Sequence, residues 1–182
     1  MSSLYEFVTV WRVPGTVAEV TTILGDAAAL TRWWPSVYLE VVARKQGGVG
    51  GLGGVADLHT TGWLPYTLRW TLTIIEPITA GGFALRADGD LSGTGRWRFV
   101  QDGPEVEITY EWRVSVTKPM LRRLSWLMKP VFSANHRWAM ARGEKSLQLE
   151  LRRRRAATET ERAEVPAPPG PTFQSLTTLR SR

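Results

Sequence analysis

The side chain in this sequence best suited to chemistry is His136, one of two histidines in 182 residues. It stands four residues after Phe132 and four before Met140, so a helix would place all three on one apolar face. An imidazole on that face could hydrogen-bond a ligand carbonyl or act as a general acid or base. The alternative is a buried histidine that is satisfied by the backbone or a neighbour. Asn135 could likewise donate to a ligand or only pack.

Tyr110 is the second candidate for proton transfer, and it belongs to a larger aromatic set. In three predicted strands apolar side chains occupy every second position, which turns them toward one face. That inward set consists of Tyr66, Trp70, Trp97, Phe99, Tyr110 and Trp112. With Phe132, His136 and Met140 from the helix, these residues form either a solid core or the lining of a ligand cavity of ~300–1,000 Å³. Such large rings suit a flat polycyclic or isoprenoid-like ligand better than a thin acyl chain.

Metal chemistry has little support in the residue types. The sequence contains no cysteine. His59 and His136 lie far apart, and no acidic cluster offers oxygen ligands for calcium or magnesium. Asp57 and His59 could pair on one strand face, but the alternate positions Ala56, Leu58 and Thr60 form a credible inward set, which favours solvent exposure for the pair. We therefore expect no metal site.

The glycine-rich segment Gly48–Gly53 formally matches the GxGxxG pattern of dinucleotide sites. Such a site requires a helix directly after the glycines, because the helix N-terminus binds the pyrophosphate. The residues that follow predict a strand instead, so we expect no nucleotide and no other cofactor. Two interpretations stay open, a loop at the mouth of a cavity and a plain long turn.

The elements that must position these residues are mostly strands, in an order typical of the α+β class. The first strand is predicted at Leu4–Val13 and is followed by two short helices at Val17–Leu24 and Ala27–Trp34. Six further strands are predicted at Val37–Lys45, Val55–Thr61, Tyr66–Glu76, Gly82–Asp88, Gly95–Gln101 and Glu105–Thr117. Regularly spaced strands of this kind form an antiparallel meander. A long helix predicted over Pro130–Arg154 would cover the aromatic face of that sheet.

The net charge of +6 comes from one region of the chain. Residues 118–155 contain eleven basic and two acidic residues, whereas residues 1–117 contain nine basic and twelve acidic ones. The amphipathic segment Lys118–Lys129 and the run Arg152–Arg155 could make transient contact with an anionic membrane surface. The alternative is a solvated helix face with cations at a helix C-terminus. A nucleic-acid-binding protein would be more evenly basic, so we expect no nucleic-acid partner.

The composition also predicts the division of the chain into a domain and a tail, and its cellular location. The proline-rich stretch Pro166–Pro171 lies in a segment with too few apolar residues to form a core, which predicts a domain at 1–155 and a disordered tail at 156–182. The N-terminus lacks the pattern of a signal peptide, and no apolar run is long enough to cross a bilayer. Together with the absence of cysteine, these features favour a cytoplasmic location.

Four stretches carry a resemblance to a known superfamily. They are Gly62-Trp-Leu-Pro-Tyr66, Gly89-Asp-Leu-Ser-Gly-Thr-Gly-Arg-Trp97, Thr117-Lys-Pro119 and Phe132-x-x-Asn135-His136-x-x-x-Met140-x-x-Gly143. With the element order, they resemble the SRPBCC proteins (START, polyketide cyclase/dehydrase and birch-pollen-allergen-like), and most closely the bacterial polyketide cyclase-like branch. One departure is Ala134, where similar sequences often carry an aromatic residue before the Asn-His pair.

The resemblance implies a helix-grip fold, in which a curved antiparallel sheet wraps the C-terminal helix and leaves a cavity between them. It implies binding, and in some members transport, of a hydrophobic small molecule. A polyketide cyclase, aromatase or dehydratase that uses His136 or Tyr110 to move protons is the alternative function. A surface-binding protein that uses the basic helix is a third. The fold alone does not choose among these functions.

Overall fold

The structure, a computed structural model, describes residues 4–117 and 129–173. Its strands form one antiparallel seven-stranded sheet in the order β1-β7-β6-β5-β4-β3-β2. The strands are β1 Leu4–Pro14, β2 Tyr38–Lys45, β3 Val55–Thr61, β4 Thr67–Thr79, β5 Gly82–Gly89, β6 Leu91–Asp102 and β7 Glu105–Val116. The sheet is curved around a long C-terminal helix, which confirms the predicted α+β class and helix-grip architecture.

Helices occur after β1 and after β7. Helix α1 spans Val17–Leu24 and starts with a capping box, in which Thr16 and Glu19 satisfy each other's backbone N–H groups. A 3₁₀ turn at Ala27–Ala29 leads into the short helix α2, Leu30–Trp33. The long helix α3 covers Lys129–Arg155, one residue more at each end than predicted.

Two strands, β4 and β6, are longer by at least two residues than their sequence patterns predict. Strand β4 continues through Pro77 to Thr79, because shifts in its register with β5 between Ile74 and Thr79 form bulges that tolerate a proline. Strand β6 begins at Leu91 rather than Gly95, because Gly93 lets it approach β7 closely. A Cβ atom at Gly93 would lie 2.0 Å from the carbonyl oxygen of Arg113.

The interior contains two separate clusters of buried apolar side chains. The larger cluster includes Trp11, Trp34, Trp97, Tyr110 and Met140 and is built from the sheet, α1, α2 and the middle of α3. The smaller cluster consists of Tyr5, Val116 and Phe132, at the start of β1, the end of β7 and the first turns of α3. Helix α3 therefore covers the aromatic face of the sheet, as predicted, but the side chains between the two layers form two clusters rather than one continuous core.

The chain after α3 is only partly as expected. A short helix, α4, spans Glu159–Glu164 in the segment predicted to be disordered. The Arg153 guanidinium donates to the carbonyl oxygens of Val165 and Pro166, at 3.4 and 2.9 Å. These contacts fix part of the segment on α3, whereas residues 174–182 lie outside the described residues. The division of the chain at residue 155 stays a prediction.

Candidate ligand cavity

A cavity lies between the concave face of the sheet and helix α3. The centre of a water molecule can occupy about 170 Å³ of it, which is less than the predicted range. By this measure one water needs ~10–15 Å³, so the space holds on the order of ten water-sized groups. Eight of the nine predicted site residues line it: Tyr66, Trp70, Trp97, Tyr110, Trp112, Phe132, His136 and Met140. A cavity therefore replaces the alternative of a solid core.

Phe99 is the predicted site residue that does not line this cavity. Strand alternation correctly turns its ring inward, and the side chain is buried. However, its ring packs against Phe83 with a centroid distance of 6.2 Å, in the part of β6 that helix α1 covers. Phe99 therefore contributes to the solid core beside the cavity.

Several lining residues were missed by the sequence reasoning. Tyr5 and Phe7 lie on β1, where only the charged residues Glu6 and Arg12 mark the outer face in the sequence. Trp34 directly follows α2 and Tyr38 begins β2, and the short segment between them has no periodicity that could predict the direction of these side chains. Their rings pack edge to face at 5.3 Å and close one side of the cavity.

His136 lies in the cavity wall, on the α3 face that meets β1. Its ring stacks on Phe7 with a centroid distance of 4.2 Å, and its Nε2 atom is 3.4 Å from the Oγ1 atom of Thr9. Burial, and to a smaller degree the charge of Arg137, lowers the pKa of His136 to about 4. The imidazole is therefore neutral near pH 7, and it can exchange hydrogen bonds with a ligand as well as with Thr9.

Asn135 has a positioning role that the sequence left open. Its Oδ1 atom accepts a hydrogen bond from the backbone N–H of Trp63 at 2.9 Å. A Cβ atom at Gly62 would lie 2.2 Å from that same oxygen, so only glycine allows the loop to approach α3 this closely. The pair explains why Gly62 and Asn135 occur in the two motifs, and it holds the β3–β4 loop against the helix that carries His136.

The other sequence candidates lie away from the cavity. Asp57 points to the outer face of the sheet, as favoured, where Arg44 and Thr71 bind its carboxylate at 2.5 and 2.8 Å and lower its pKa. The hypothesis that Gly48–Gly53 borders the cavity is wrong. This loop packs on the bulged part of β4, where a Cβ atom at Gly50 would lie 2.8 Å from the Cβ atom of Pro77. None of its residues is among those that line the cavity.

The arginine run at the end of α3 is largely engaged within the protein. Arg153 and Arg154 bind the carboxylate of Glu150, whose side chain is completely buried. Arg155 binds Glu19 on α1 at 2.7 Å. These hydrogen bonds are the main reason that the pKa of Glu19 is lowered to about 2. Among the residues of this run, Arg152 remains as an exposed cation, which weakens the case for a membrane contact through the run.

The segment Lys118–Lys129, apart from the backbone of Lys129, lies outside the described residues. Within the described ranges, no helix is long and apolar enough to cross a membrane. No three carboxylate or imidazole groups in those ranges come together as metal ligands. The chemistry that the described part of the chain supports therefore centres on the cavity.

Comparison with known proteins agrees with this geometry. Residues 6–151 match a family described as polyketide cyclase/dehydrase and lipid transport proteins. The fold is similar to that of the Zhui aromatase/cyclase from Streptomyces sp. R1128, with a TM-score of 0.63 and 16% identity over 85% of this chain and 98% of that one. It is also similar to the protein TTHA0849 from Thermus thermophilus, with a TM-score of 0.60 and 15% identity over 79% of this chain and 97% of that one.

A third similar structure is norcoclaurine synthase from Thalictrum flavum, with a TM-score of 0.55 and 15% identity over 83% of this chain and 98% of that one. No curated protein matches the sequence. At these identities the structural neighbours establish the shared fold and not a shared activity.

Proposed function

Because the chain belongs to the polyketide cyclase/dehydrase and lipid transport family, we propose that it binds, and carries, a hydrophobic small molecule in the cavity between the sheet and α3. The observation that supports this proposal is the composition of the wall. Aromatic and aliphatic side chains from both layers line it, and no Asp, Glu, Lys or Arg occurs among the described lining residues. A ligand would gain free energy by leaving water for this surface.

Two alanines of α3 allow a matched test. Ala139 lines the cavity, and Ala141 on the same helix is exposed. A leucine at position 139 would fill part of the cavity, whereas a leucine at position 141 would extend into solvent. We expect Ala139→Leu to weaken binding of the neutral dye N-phenyl-1-naphthylamine at least tenfold, and Ala141→Leu to leave it unchanged.

Dye fluorescence gives the affinities, and thermal unfolding checks that both variants fold. Equal dye affinity in the two variants, or no dye binding by the wild type, would contradict the proposal. Native mass spectrometry of protein purified from its own host, followed by organic extraction, would then show which apolar compound is retained.

A second candidate function is cyclisation or dehydration of a polyketide-like substrate, and the position of His136 in the cavity wall favours it. A neutral imidazole can remove a proton from the carbon next to a carbonyl group. The resulting enolate attacks a second carbonyl, a carbon–carbon bond forms, the alkoxide takes back the proton, and loss of water gives an enone. A cavity that holds the folded substrate would accelerate this step by orientation.

The reaction can be measured with 2,6-heptanedione, which cyclises to 3-methylcyclohex-2-enone with loss of one water. If the protein is a cyclase of this kind, the wild type accelerates enone formation and His136→Phe does not. Equal rates with the wild type, with the variant and in buffer alone would leave ligand binding as the function.

A further inference from the structure

Three hydroxyl groups of the cavity wall have no hydrogen-bond partner among the described residues, namely those of Tyr38, Tyr66 and Tyr110. Among the other polar groups of the described wall, the buried Nε1 atom of Trp34 also has no hydrogen-bond partner, whereas three side chains are engaged. Thr60 Oγ1 accepts from Trp70 Nε1 at 3.1 Å, Asn135 accepts from the Trp63 backbone, and His136 contacts Thr9. An unbonded polar group in an apolar wall costs free energy unless a ligand or water pairs with it.

The three phenols lie at two levels of the cavity. Tyr110 stacks on Trp97 at 3.9 Å, and Tyr38 packs on Trp34, so both belong with the larger apolar cluster. Tyr66 packs on Phe132, which belongs to the smaller cluster. The cavity therefore has an inner end with Tyr38 and Tyr110 and an outer end with Tyr66, where Tyr5 also lines the wall.

The separation of the two ends follows from the register of the elements. Phe132 and Met140 are eight residues apart on α3, which is about 12 Å along a helix. On the sheet, Tyr110 is opposite Thr9, and Val114 is opposite Tyr5, whose ring contacts Phe132 at 5.7 Å. Four residues of a strand cover about 14 Å. Both estimates give the length of the wall between the two clusters. The hydroxyl group of Tyr110 lies nearer the outer end than its backbone, because a Cβ atom at Gly95, opposite Trp112, would be 2.6 Å from that hydroxyl oxygen.

The protonation state of the three tyrosines determines whether the cavity favours a neutral or a charged ligand. Burial raises the pKa of Tyr38 and Tyr110 well above that of a free tyrosine, and it raises the pKa of Tyr66 to about 12. All three therefore keep their protons at neutral pH and can donate as well as accept hydrogen bonds. A carboxylate ligand would have to leave water without meeting a cation in this wall.

Building on the proposed function, we infer that the ligand is an uncharged, flat, elongated molecule with a hydroxyl or carbonyl oxygen at each end. The oxygen at the inner end is bound between Tyr38 and Tyr110, and the oxygen at the outer end is bound by Tyr66. These tyrosines thus determine specificity, while the surrounding rings provide most of the affinity.

Four stilbenes of the same shape test this inference: trans-stilbene, 4-hydroxystilbene, 4,4′-dihydroxystilbene and stilbene-4,4′-dicarboxylate. Titration calorimetry gives the affinity of each for the wild type. We expect 4,4′-dihydroxystilbene to bind about tenfold more tightly than stilbene, since each neutral hydrogen bond adds a few-fold. The dicarboxylate should bind at least a hundredfold more weakly than the dihydroxy compound.

Tyr→Phe variants test which tyrosines bind each end of the ligand. Tyr66→Phe should remove the advantage of the second hydroxyl group while leaving that of the first, and the double variant Tyr38→Phe/Tyr110→Phe should do the same from the other end. Phe99→Leu, a buried change outside the cavity wall, should keep the full ranking. Tight binding of all four compounds regardless of polarity, or an unchanged ranking in the tyrosine variants, would overturn the inference but leave the proposed function intact. Failure of every compound to bind would contradict both.

Discussion

Gly143 of α3 lies directly against the indole ring of Trp34. A Cβ atom at position 143 would be 2.3 Å from the Cζ2 atom of that ring, far inside van der Waals contact. Trp34 is almost completely buried and lines the cavity. Because residue 143 is glycine, the Trp34 ring can pack directly on α3, and this contact fixes the position of that part of the cavity wall.

Gly143→Ala should destabilise the protein by about 1–2 kcal/mol. Overpacking a well-filled site costs ~1–3 kcal/mol, and the better helix propensity of alanine offsets up to ~1 kcal/mol of that cost. Urea unfolding measures the difference. Gly170→Ala is the control, because a Cβ atom there would meet nothing within 4 Å. A Gly143→Ala variant as stable as the wild type would show that Trp34 can move freely, and the cavity wall would then not be fixed at this contact.

Asn135→Ala should loosen the β3–β4 loop. The variant loses the acceptor for the Trp63 N–H group, and we expect a loss of about 1 kcal/mol, typical of one hydrogen bond. Amide hydrogen exchange at Trp63 should become faster, while exchange in the middle of β7 should change little. Asn135→Asp keeps an acceptor oxygen and should restore slow exchange at Trp63. If both variants exchange like the wild type, Asn135 does not hold the loop.

The parts of the fold that were predictable are those with a local period. Alternation along β7 turned Tyr110 and Trp112 inward, and the spacing of four residues placed His136 and Met140 on one face of α3. These patterns need no knowledge of the rest of the chain, because side-chain direction follows from strand or helix geometry alone. They were sufficient for the sheet, the long helix and most of the cavity wall.

The parts that were not predictable depend on contacts between distant elements. Trp34 enters the cavity from a turn, and its position is set by Gly143, more than a hundred residues later in the sequence. Phe99 obeys the alternation of its strand, but α1 covers that end of β6, so the ring packs in solid core. The pairing of Glu150 with Arg154 could be predicted from the sequence, because the two residues are one helical turn apart. The burial of Glu150 could not be predicted, because it depends also on Arg32 from α2.

Glu150→Gln should destabilise the protein by about 3 kcal/mol. The buried carboxylate binds Arg32 at 2.9 Å and Arg154 at 2.8 Å, with Arg153 at 3.5 Å. An amide leaves three guanidinium groups around a neutral side chain, and breaking a buried ion pair on one side typically costs ~3–5 kcal/mol. Because the side chains of Arg32 and Arg154 remain partly exposed to solvent, we expect the lower end of that range.

Glu159→Gln is the matched control for Glu150→Gln. The side chain of Glu159 is 82% exposed and pairs with Arg162 on the surface. Pairs of this kind contribute ~0–1 kcal/mol, so urea unfolding should give nearly the wild-type stability. Similar losses in the two variants would show that the arginines do not depend on the buried carboxylate, and the link between α2 and α3 would have to be explained by apolar packing.

His136 should make the protein less stable as the pH falls below neutrality. In the unfolded chain the imidazole has a pKa near 6.5, whereas burial lowers the pKa of the folded state to about 4. As the pH falls through this window the unfolded state binds the proton first, so the stability present above pH 6.5 is progressively lost toward pH 4. At pH 5 the expected loss is about 2 kcal/mol relative to pH 7, since each unit of pKa difference corresponds to ~1.4 kcal/mol.

Urea unfolding of the wild type and of His136→Phe at pH 7 and pH 5 measures this contribution. The variant should lose about 2 kcal/mol less than the wild type over the same interval, because phenylalanine keeps the stacking on Phe7 but binds no proton. The carboxylates of Glu19, Asp57 and Glu76 have lowered pKa values, so they titrate mainly below this window. Equal pH dependence in the wild type and His136→Phe would mean that the imidazole is solvated, and the cavity would then be open to water at its helix wall.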